Sequence, residues 1–279
     1  GVSAGLMETF ELGFSDPAGQ ALTRRLTEER FTAEQMEASG LVRRRPEGGF
    51  YDSFRGRLMF PIHNESGKVI AFGGRAMRDD DQPKYLNSPE TPIYRKTSVL
   101  YNLHRARDGI RKHNRAVLVE GYMDVIGVTS AGVKEVVASC GTALTSAQAR
   151  SIHRHADTVI VNFDPDDAGA NAAERAVPLL LDENLHVKVL ALGADGSGAK
   201  LDPDEYVKRF GAEAYLAKLN SASGYFHWLA DRARGRSVAR LLEGLADRVD
   251  PELVHAGELA SHRRAAAGRV LPASITSNV

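Results

Sequence analysis

Two carboxylates frame a short motif at the end of an apolar run. The run is Val117–Val119, and the motif EGYMD follows it at positions 120–124. A short, unbroken apolar run bounded by a turn signal is typical of a strand that is buried on both faces. Glu120 would then stand at the carboxyl end of that strand, and Asp124 in the first turn of a helix that begins after Gly121. Such acids either bind a cation or cap the helix, and for this motif alone both interpretations stay open.

Further acids follow two other apolar runs. Asp164 and Asp166 come after the run 158–163, and Asp202 and Asp204 come after the run 186–192. Because the carboxyl ends of parallel strands share one edge of a sheet, we expect these acids to meet Glu120 there. Crowded carboxylates repel each other, and all-oxygen ligands select hard cations such as Mg²⁺, with Mn²⁺ as an alternative.

We therefore predict a divalent-metal site formed by five carboxylates: Glu120, Asp164, Asp166, Asp202 and Asp204. Two ions held close together serve in-line phosphoryl transfer, because one activates the attacking oxygen and the other stabilises the leaving one. Taken singly, each acid has a simpler explanation as a helix cap. Asp202 precedes Pro203, which suits the first position of a helix, and Asp167 could cap another. The convergence of five acids favours the metal site.

The segment before these motifs is basic. Residues 40–107 hold 13 Lys/Arg against 7 Asp/Glu, whereas residues 114–210 hold 9 against 14. This suggests a groove for a polyanion beside a cation-binding cluster, although surface charge alone produces similar imbalances. Paired glycines before Arg75 allow a phosphate to approach closely. The polar loop 79–98 is either solvated or functional, and its candidate contacts to phosphates and bases are Lys84, Tyr85, Asn87, Arg95 and Lys96.

A regular alternation of strands and helices is expected to position the acids. Strands are predicted at 116–119, 135–139, 158–163 and 186–192. Helices are predicted at 99–113, 122–131, 145–155, 167–182 and 203–209. Because the strands are almost continuously Val, Ile and Leu, we predict an α/β fold whose parallel sheet is covered by helices on both faces.

A mixed α+β subdomain is predicted before this sheet, and a helical subdomain after it. The first contains helices at 22–30 and 32–39, the latter capped by Thr32, and a hairpin with strands at 57–62 and 68–72. The last contains helices at 222–234 and 238–245, with an unassigned tail beyond about 245. We therefore divide the chain into residues 1–113, 114–210 and 211–279.

Composition excludes some classes of protein. The single cysteine, Cys140, excludes an internal disulfide framework and a zinc site built from several thiolates. It follows an apolar run, as a buried and inert thiol would. No apolar run is long enough to span a bilayer and no signal peptide stands at Gly1, so a cytoplasmic protein is expected. The lack of an initiator Met indicates a fragment of a longer protein.

Three acidic motifs resemble the Toprim domain of DnaG-type bacterial primases: EGYMD at 120–124, FDPDDAG at 163–169 and DPDE at 202–205. Any Toprim enzyme would carry such motifs. More specific to primases are strings that resemble the basic subdomain of the family: FRGRLMFPI at 54–62, FGGR at 72–75, PKYLNSPET at 83–91 and Lys96. The resemblance extends over about residues 1–235. It departs from the family's middle motif at Pro165, where glycine is usual, and at Asp167, where Arg is common.

The resemblance implies a primase core: a DNA-directed RNA polymerase that makes short primers in the bacterial replisome. It implies that Glu120, Asp164 and Asp166 bind metal and that Asp202 and Asp204 complete the acidic site, with Asp124 in support. Contacts to template or incoming triphosphate are implied for Arg55, Arg57, Arg75, Lys84 and Lys96. The implied cofactor is Mg²⁺ or Mn²⁺, with no zinc in this fragment. The implied partners are a single-stranded DNA template, ribonucleoside triphosphates, the RNA primer, and a replicative helicase bound through a C-terminal domain not recognised here.

Other classes of protein stay open as alternatives. A topoisomerase needs a transesterifying tyrosine, usually in a separate domain, and no second DNA-gate domain is visible. A nuclease would lack the segment 84–91. A phosphatase with Asp164 as nucleophile and Asp166 as acid usually has Thr or Val at the position of Ala168. A non-catalytic nucleic-acid-binding module, whose acids only cap helices, would show no Mn²⁺ binding at the acidic edge.

Overall fold

The computed structural model describes residues 2–78, 80–192 and 201–233. The chain divides into two compact units, 1–225 and 226–279, and the predicted helix 238–245 and the tail lie outside the described residues. The strands are β1 Gly13–Phe14, β2 Val42–Arg44, β3 Phe50–Asp52, β4 Arg57–His63, β5 Val69–Ala76, β6 Tyr85–Asn87, β7 Arg115–Val119, β8 Val136–Ala138, β9 Thr158–Val161, β10 His186–Val189 and β11 Ser223–Gly224. The helices are α1 Ala4–Thr9, α2 Ala21–Glu28, α3 Ala33–Ala38, α4 Leu103–His113, α5 Tyr122–Ser130, α6 Ser146–His153, α7 Asp167–Asp182, α8 Pro203–Asn220 and α9 Tyr225–Ala233.

The first sheet is antiparallel, with the strand order β1-β4-β5-β6. Strands β4 and β5 are the predicted hairpin, and the Gly67 N–H closes its turn on the Asn64 carbonyl at 3.0 Å. The prediction of a plain polar loop at 79–98 was wrong in part, because β6 pairs with β5 and a short 3-10 helix, Lys96–Ser98, follows. Strand β6 has no alternating apolar pattern, and it forms because β5 offers it a row of unpaired backbone groups.

Caps fix the helices before this sheet. Helix α3 begins after Thr32 as predicted, and the Thr32 hydroxyl and the Gln35 side chain each accept a backbone hydrogen bond from the other residue. Helix α2 has no cap of its own. Its N-terminus is capped instead by buried Asp52 of β3, whose carboxylate accepts from the N–H groups of Leu22 and Thr23 at 3.0 and 2.8 Å. This carboxylate ties α2 to the small β2–β3 hairpin.

The second sheet has the order β11-β10-β9-β7-β8, and its strands β7 to β10 are parallel. The predicted α/β fold with a Toprim-type sheet is thereby confirmed. Helices cover the sheet on both faces, with α5 packed against α8 and α6 against α7. The antiparallel edge strand β11 was not predicted, because two residues are too few to show a strand period.

Two helices differ from their predicted bounds. Helix α4 begins at Leu103 rather than 99, because Tyr101 is extended and exchanges backbone hydrogen bonds with Ala138 of β8. Helix α8 is interrupted at Gly211, whose φ of 83° and ψ of 174° are not helical, so its first segment ends close to the predicted 209 and a second helical segment continues to Asn220. The predicted subdomain boundaries at 113 and 210 stay predictions.

One apolar core joins the two sheets of the first unit. Phe60 and Ile62 of β4 belong to the same buried cluster as Val117 of β7 and Val125 of α5. The rings of Phe60 and Tyr122 stack with their centroids 4.7 Å apart. This packing holds the antiparallel sheet β1-β4-β5-β6, called the basic sheet below, against the end of the parallel sheet that carries the acids. Within the described residues, every helix is too short or too polar to cross a membrane.

Candidate active site

The carboxyl ends of β7 and β9 bring Glu120 and Asp164 together. The two strands are parallel neighbours, with Leu118 opposite Val161, so the residues that follow them leave the sheet at one edge. Glu120 Oε1 accepts a hydrogen bond from the Asp164 N–H at 3.0 Å, and both side chains are half-buried. The structure therefore places these two predicted metal ligands side by side.

A glycine allows this close arrangement. Asp166 caps helix α7, and its Oδ1 accepts a hydrogen bond from the Gly169 N–H at 2.7 Å. A Cβ atom on Gly169 would lie 2.2 Å from the Asp164 carbonyl oxygen and 2.8 Å from Glu120 Oε1. Any side chain at this position would therefore displace both acids. The sequence shows Gly169 within a motif, but its role depends on a contact that only the fold creates.

Asp124 lies behind this pair in the first turn of α5. Its Oδ2 accepts a hydrogen bond from the Gly121 N–H at 3.0 Å, which closes the turn directly after Glu120. The side chain is buried. Burial, together with the charges of Asp164 and Asp202, raises the pKa of Asp124 to about 8. Asp124 thus holds the turn that carries Glu120, and its supporting role in a metal site stays a prediction.

Two further acids, Asp202 and Asp204, lie at the N-terminus of α8 near the same edge. Asp202 caps the helix, with its Oδ1 accepting from the Glu205 N–H at 2.7 Å, and Pro203 occupies the first turn as the cap interpretation predicted. Asp204 is buried and forms an ion pair with Lys208. A Cβ atom on Gly127 of α5 would lie 2.7 Å from the Asp204 Cα. Asp202 is half-buried near the edge, whereas the Asp204 carboxylate is already paired with the Lys208 ammonium.

Like charges dominate the electrostatics of this edge. Burial, together with the charges of Glu120 and Asp202, raises the pKa of Asp164 to about 7. Burial also raises the pKa of Glu120, against the effect of the hydrogen bond from Asp164. In addition, Asp164 Oδ1 is buried without a hydrogen-bond partner. A buried polar atom without a partner costs about 1–3 kcal/mol, which a bound cation would offset.

These features fit a divalent cation. The donors are carboxylate oxygens, which hard cations prefer, and a positive charge would relieve the repulsion that raises their pKa values. Among the residues that the structure describes, no three His, Cys, Asp or Glu side chains already converge on one point as a complete metal cluster. The five-residue ligand set therefore stays a prediction, with Glu120 and Asp164 as its best-placed pair.

The predicted nucleic-acid contacts divide into two groups. Arg55, Lys84 and Tyr85 are exposed, and Arg75 and Lys96 are half-buried, so their side chains reach the surface. Arg57 and Asn87 differ from the predicted contacts to nucleic acid, because their polar side-chain atoms form hydrogen bonds within the protein. Arg57 is only 7% exposed, and its guanidinium donates to the carbonyls of Gly74 and Pro83 at 3.4 and 2.8 Å. Both polar side-chain atoms of Asn87 bond within the protein.

A groove of about 640 Å³ lies on the basic sheet beside Arg55. Residues that the sequence did not single out contribute to it, among them Phe14, Arg43, Tyr51 and Arg78. The Arg55 guanidinium lies over the Tyr51 ring at 5.5 Å, and Phe14 is 61% exposed. Exposed rings beside guanidinium groups suit unpaired bases and their phosphates. Besides the predicted Arg55, the arginine run at 43–45 is a sequence signal that could have indicated this groove.

Fold and site together define a class of protein: a Toprim-type sheet with carboxylates at its carboxyl edge, joined to a basic antiparallel sheet. Two family models match adjacent stretches of the chain. The model described as DNA primase catalytic core, N-terminal domain, matches residues 1–107, and the Toprim-like model matches residues 117–207. The second stretch contains all the acids of the predicted metal site.

Individual relatives agree with these models. The DNA primase of Halalkalibacterium halodurans is 50% identical over 210 residues, which are 75% of this chain and 34% of that protein. The DNA primase of Synechococcus elongatus is 41% identical over 234 residues, which are 81% of this chain and 33% of that protein. The chain thus spans about a third of the length of the curated relatives it matches.

Solved structures show the same similarity. The RNA polymerase domain of Mycobacterium tuberculosis primase DnaG superposes with a TM-score of 0.81 at 31% identity, over 95% of this chain and 87% of that one. The E. coli primase catalytic core superposes with a TM-score of 0.79 at 32% identity, over 99% and 90%. The chain therefore belongs to the DnaG-type primase family, and the part it shares with that family is the catalytic core. Proteins of this family generally use a divalent metal ion. None of these matches favours another Toprim enzyme or a non-catalytic module.

Proposed function

We propose that this chain is the polymerising core of a DNA primase, which makes short RNA primers on single-stranded DNA by two-metal nucleotidyl transfer. The observation that carries the proposal is the buried Asp164 Oδ1, which lacks a partner and lies beside Glu120 at the carboxyl edge of a Toprim-type sheet. A DnaG primase catalytic domain has been solved bound to single-stranded DNA, and that domain is 34% identical to this chain.

Glu120, Asp164 and Asp166 are proposed to hold Mg²⁺, for which Mn²⁺ can substitute, and Asp202 and Asp204 to complete the acidic edge. Bound there, the ions would supply activation of the primer 3′-hydroxyl and stabilisation of the leaving pyrophosphate. The chain's own contribution is placement. The Gly121 N–H on Asp124 and the Asp164 N–H on Glu120 fix the carboxylates before any ion arrives. Zinc is not proposed for this segment, since it has one cysteine.

The basic sheet is proposed to bind the substrates. Arg55 and the groove beside it take the template, and Arg75, Lys84, Tyr85 and Lys96 take the incoming ribonucleoside triphosphate and the primer. Tyr85 pairs with Arg75 across β5 and β6, so a phosphate contact and an aromatic ring stand together near the acids. The helicase contact is proposed to lie outside this segment, and the reaction to take place at the bacterial replication fork.

The test is template-dependent ribonucleotide incorporation in the presence of Mg²⁺ or Mn²⁺. Asp164→Ala removes the best-placed ligand and should lower primer synthesis on the order of 10³-fold, since it removes a transition-state contact. The matched control is Asp108→Ala, because Asp108 is an exposed acid of α4. Near wild-type synthesis by Asp164→Ala would refute the metal assignment. DNA cleavage without nucleotide incorporation would favour a Toprim nuclease instead.

A further inference from the structure

A chain of hydrogen bonds connects the basic sheet to the acidic edge through Asn87. The Tyr122 hydroxyl donates to Asn87 Oδ1 at 2.7 Å, and Asn87 Nδ2 donates to the Cys140 carbonyl at 2.9 Å. The Cys140 N–H in turn donates to the Glu120 carbonyl at 3.1 Å. Asn87 belongs to β6 of the basic sheet, whereas Glu120 is a predicted metal ligand. The bonds therefore run from one subdomain directly to the backbone of the site.

The direction of each bond follows from the chemistry of its atoms. The Cys140 carbonyl can only accept, so the amide nitrogen of Asn87 must face it. Oδ1 is then left to accept from the phenol. The Tyr122 hydroxyl lies 2.7 Å from Oδ1, and the amide oxygen has no proton to give, so the hydroxyl is the donor. Both polar atoms of the Asn87 amide are used in this way, which leaves it poorly suited to read a nucleotide.

The side chains around the Tyr122–Asn87 hydrogen bond are closely packed. A Cβ atom on Gly73, which pairs with Asn87 across β5 and β6, would lie 2.4 Å from the Tyr122 Cζ. The Tyr122 ring stacks on Phe60 and meets the edge of Tyr101, with centroids 4.7 and 4.8 Å away. The phenol therefore has one position available, and its hydroxyl points at Asn87.

Cys140 needs to be held in place. Its φ of 49° lies in the left-handed region, which is unfavourable for a residue other than glycine, and Gly141 follows with a φ of 81°. Such a conformation persists where the surroundings determine it. Here the hydrogen bonds from Asn87 and to Glu120 do so, one on each side of the residue. Losing the first would release the turn that supports Glu120.

We propose that Asn87 and Tyr122 are positioning residues that hold Glu120 from the basic sheet, and that Asn87 does not contact template or nucleotide. The proposal rests on the proposed function in that it takes Glu120 as a metal ligand. It gives the basic sheet a second role: besides binding nucleic acid, it sets the geometry of the carboxylates.

The experiment compares four variants of the 279-residue chain: Asn87→Ala, Tyr122→Phe, the double variant that carries both changes, and the control Tyr101→Phe. Tyr101 lies in the same aromatic cluster, but its buried hydroxyl has no partner, so removing that hydroxyl breaks no hydrogen bond. Mn²⁺ affinity is measured with the metal alone by electron paramagnetic resonance. Single-strand DNA affinity is measured by fluorescence anisotropy without metal. Thermal unfolding shows that each variant is folded.

Loss of a residue that supports a ligand costs about 10–100-fold in metal affinity, and we expect the lower end for Asn87→Ala and Tyr122→Phe. DNA affinity should not change, and Tyr101→Phe should match the wild type in both measurements. The double variant should bind Mn²⁺ no more weakly than Asn87→Ala, because both changes break one chain of bonds.

Weaker DNA binding by Asn87→Ala with unchanged Mn²⁺ affinity would overturn the proposal, since it would make Asn87 a template contact. Unchanged Mn²⁺ affinity in Tyr122→Phe would also overturn it, even if Asn87→Ala fails to fold. A different result would contradict the proposed primase activity. A wild-type chain that binds Mn²⁺ but makes no primers refutes the primase activity, while the Mn²⁺ comparison still decides the positioning role.

Discussion

His63 and His104 lie ring to ring between β4 and α4, away from the acidic edge, with their centroids 4.2 Å apart. Burial, together with the charge of Arg105, lowers the pKa of His104 to about 3. Burial also lowers the pKa of His63, although its hydrogen bond to Glu11 at 2.9 Å opposes the change. Both rings are therefore neutral near pH 7, whereas in the unfolded chain each takes up a proton at about pH 6.5.

This difference predicts that acid destabilises the fold. Below about pH 6.5 the unfolded state binds protons that the folded rings do not, so the free energy of unfolding falls as the pH falls. His104→Gln removes one such group and should make the decrease between pH 7 and pH 5 shallower, measured by urea unfolding at each pH. His186→Gln is the matched control, because His186 is exposed on β10. An equally steep decrease in both variants would show that His104 does not contribute.

At the level of elements, the contact of α5 with α8 decides where the N-terminus of α8 stands. Gly127 lies in this contact, and its missing side chain makes room for the Asp204 backbone. Helix α8 carries Asp202 and Asp204 at this end. The separation of the two helices therefore sets the distance between these acids and the pair formed by Glu120 and Asp164.

Gly127→Ala tests this contact. The new Cβ atom would lie 2.7 Å from the Asp204 Cα and Oδ1, so α8 must move. Overpacking of this kind costs about 1–3 kcal/mol, and we expect Mn²⁺ affinity to fall as Asp202 moves away. Gly5→Ala is the control, because Gly5 lies in α1 with no atom within 4 Å of a Cβ atom. Alanine there should stabilise by about 0.5–1 kcal/mol. Unchanged stability and Mn²⁺ affinity in Gly127→Ala would show that α8 adapts without cost.

At the level of the whole molecule, the charges are separated although the sequence is neutral overall. The basic sheet and the acidic edge share one core, so the separation is a fixed property of the first unit. A polyanion is attracted to the first surface and repelled from the second unless cations cover the carboxylates. This arrangement would direct a nucleic acid along the basic sheet, with only the reacting groups at the proposed metal site.

Salt dependence of single-strand DNA binding tests this arrangement. Each phosphate contact contributes about 0.7 to the slope of log affinity against log salt concentration. Lys84→Ala should lower the magnitude of the slope by about that amount, since one phosphate contact is lost. Lys112→Ala, an exposed lysine of α4, should leave the slope unchanged. Equal slopes for the wild type and Lys84→Ala would mean that Lys84 does not contact a phosphate.

The parallel sheet could be predicted from the sequence alone. Its apolar runs are short, rich in Val and Ile and bounded by turn residues, which favours strands buried on both faces, and carboxylates that follow parallel strands lie at one edge, so the neighbouring positions of Glu120 and Asp164 could be predicted. The short strands could not be predicted from the sequence. Strands β6 and β11 owe their structure to partners far away in the chain, and they carry too few residues to show a period.

The tertiary structure alone decided which polar residues are free to act. Arg57, Asn87 and the exposed Lys84 look equally suited to nucleic acid in the sequence, because side-chain type says nothing about burial. In the fold, Arg57 and Asn87 bond to backbone carbonyls of neighbouring elements, whereas Lys84 stays exposed. Such contacts depend on distances between residues remote in sequence, as the separation of 53 positions between Asn87 and Cys140 illustrates. The sequence therefore determines the chemical groups, and the packing of two sheets on one core decides which of them support the site and which face a substrate.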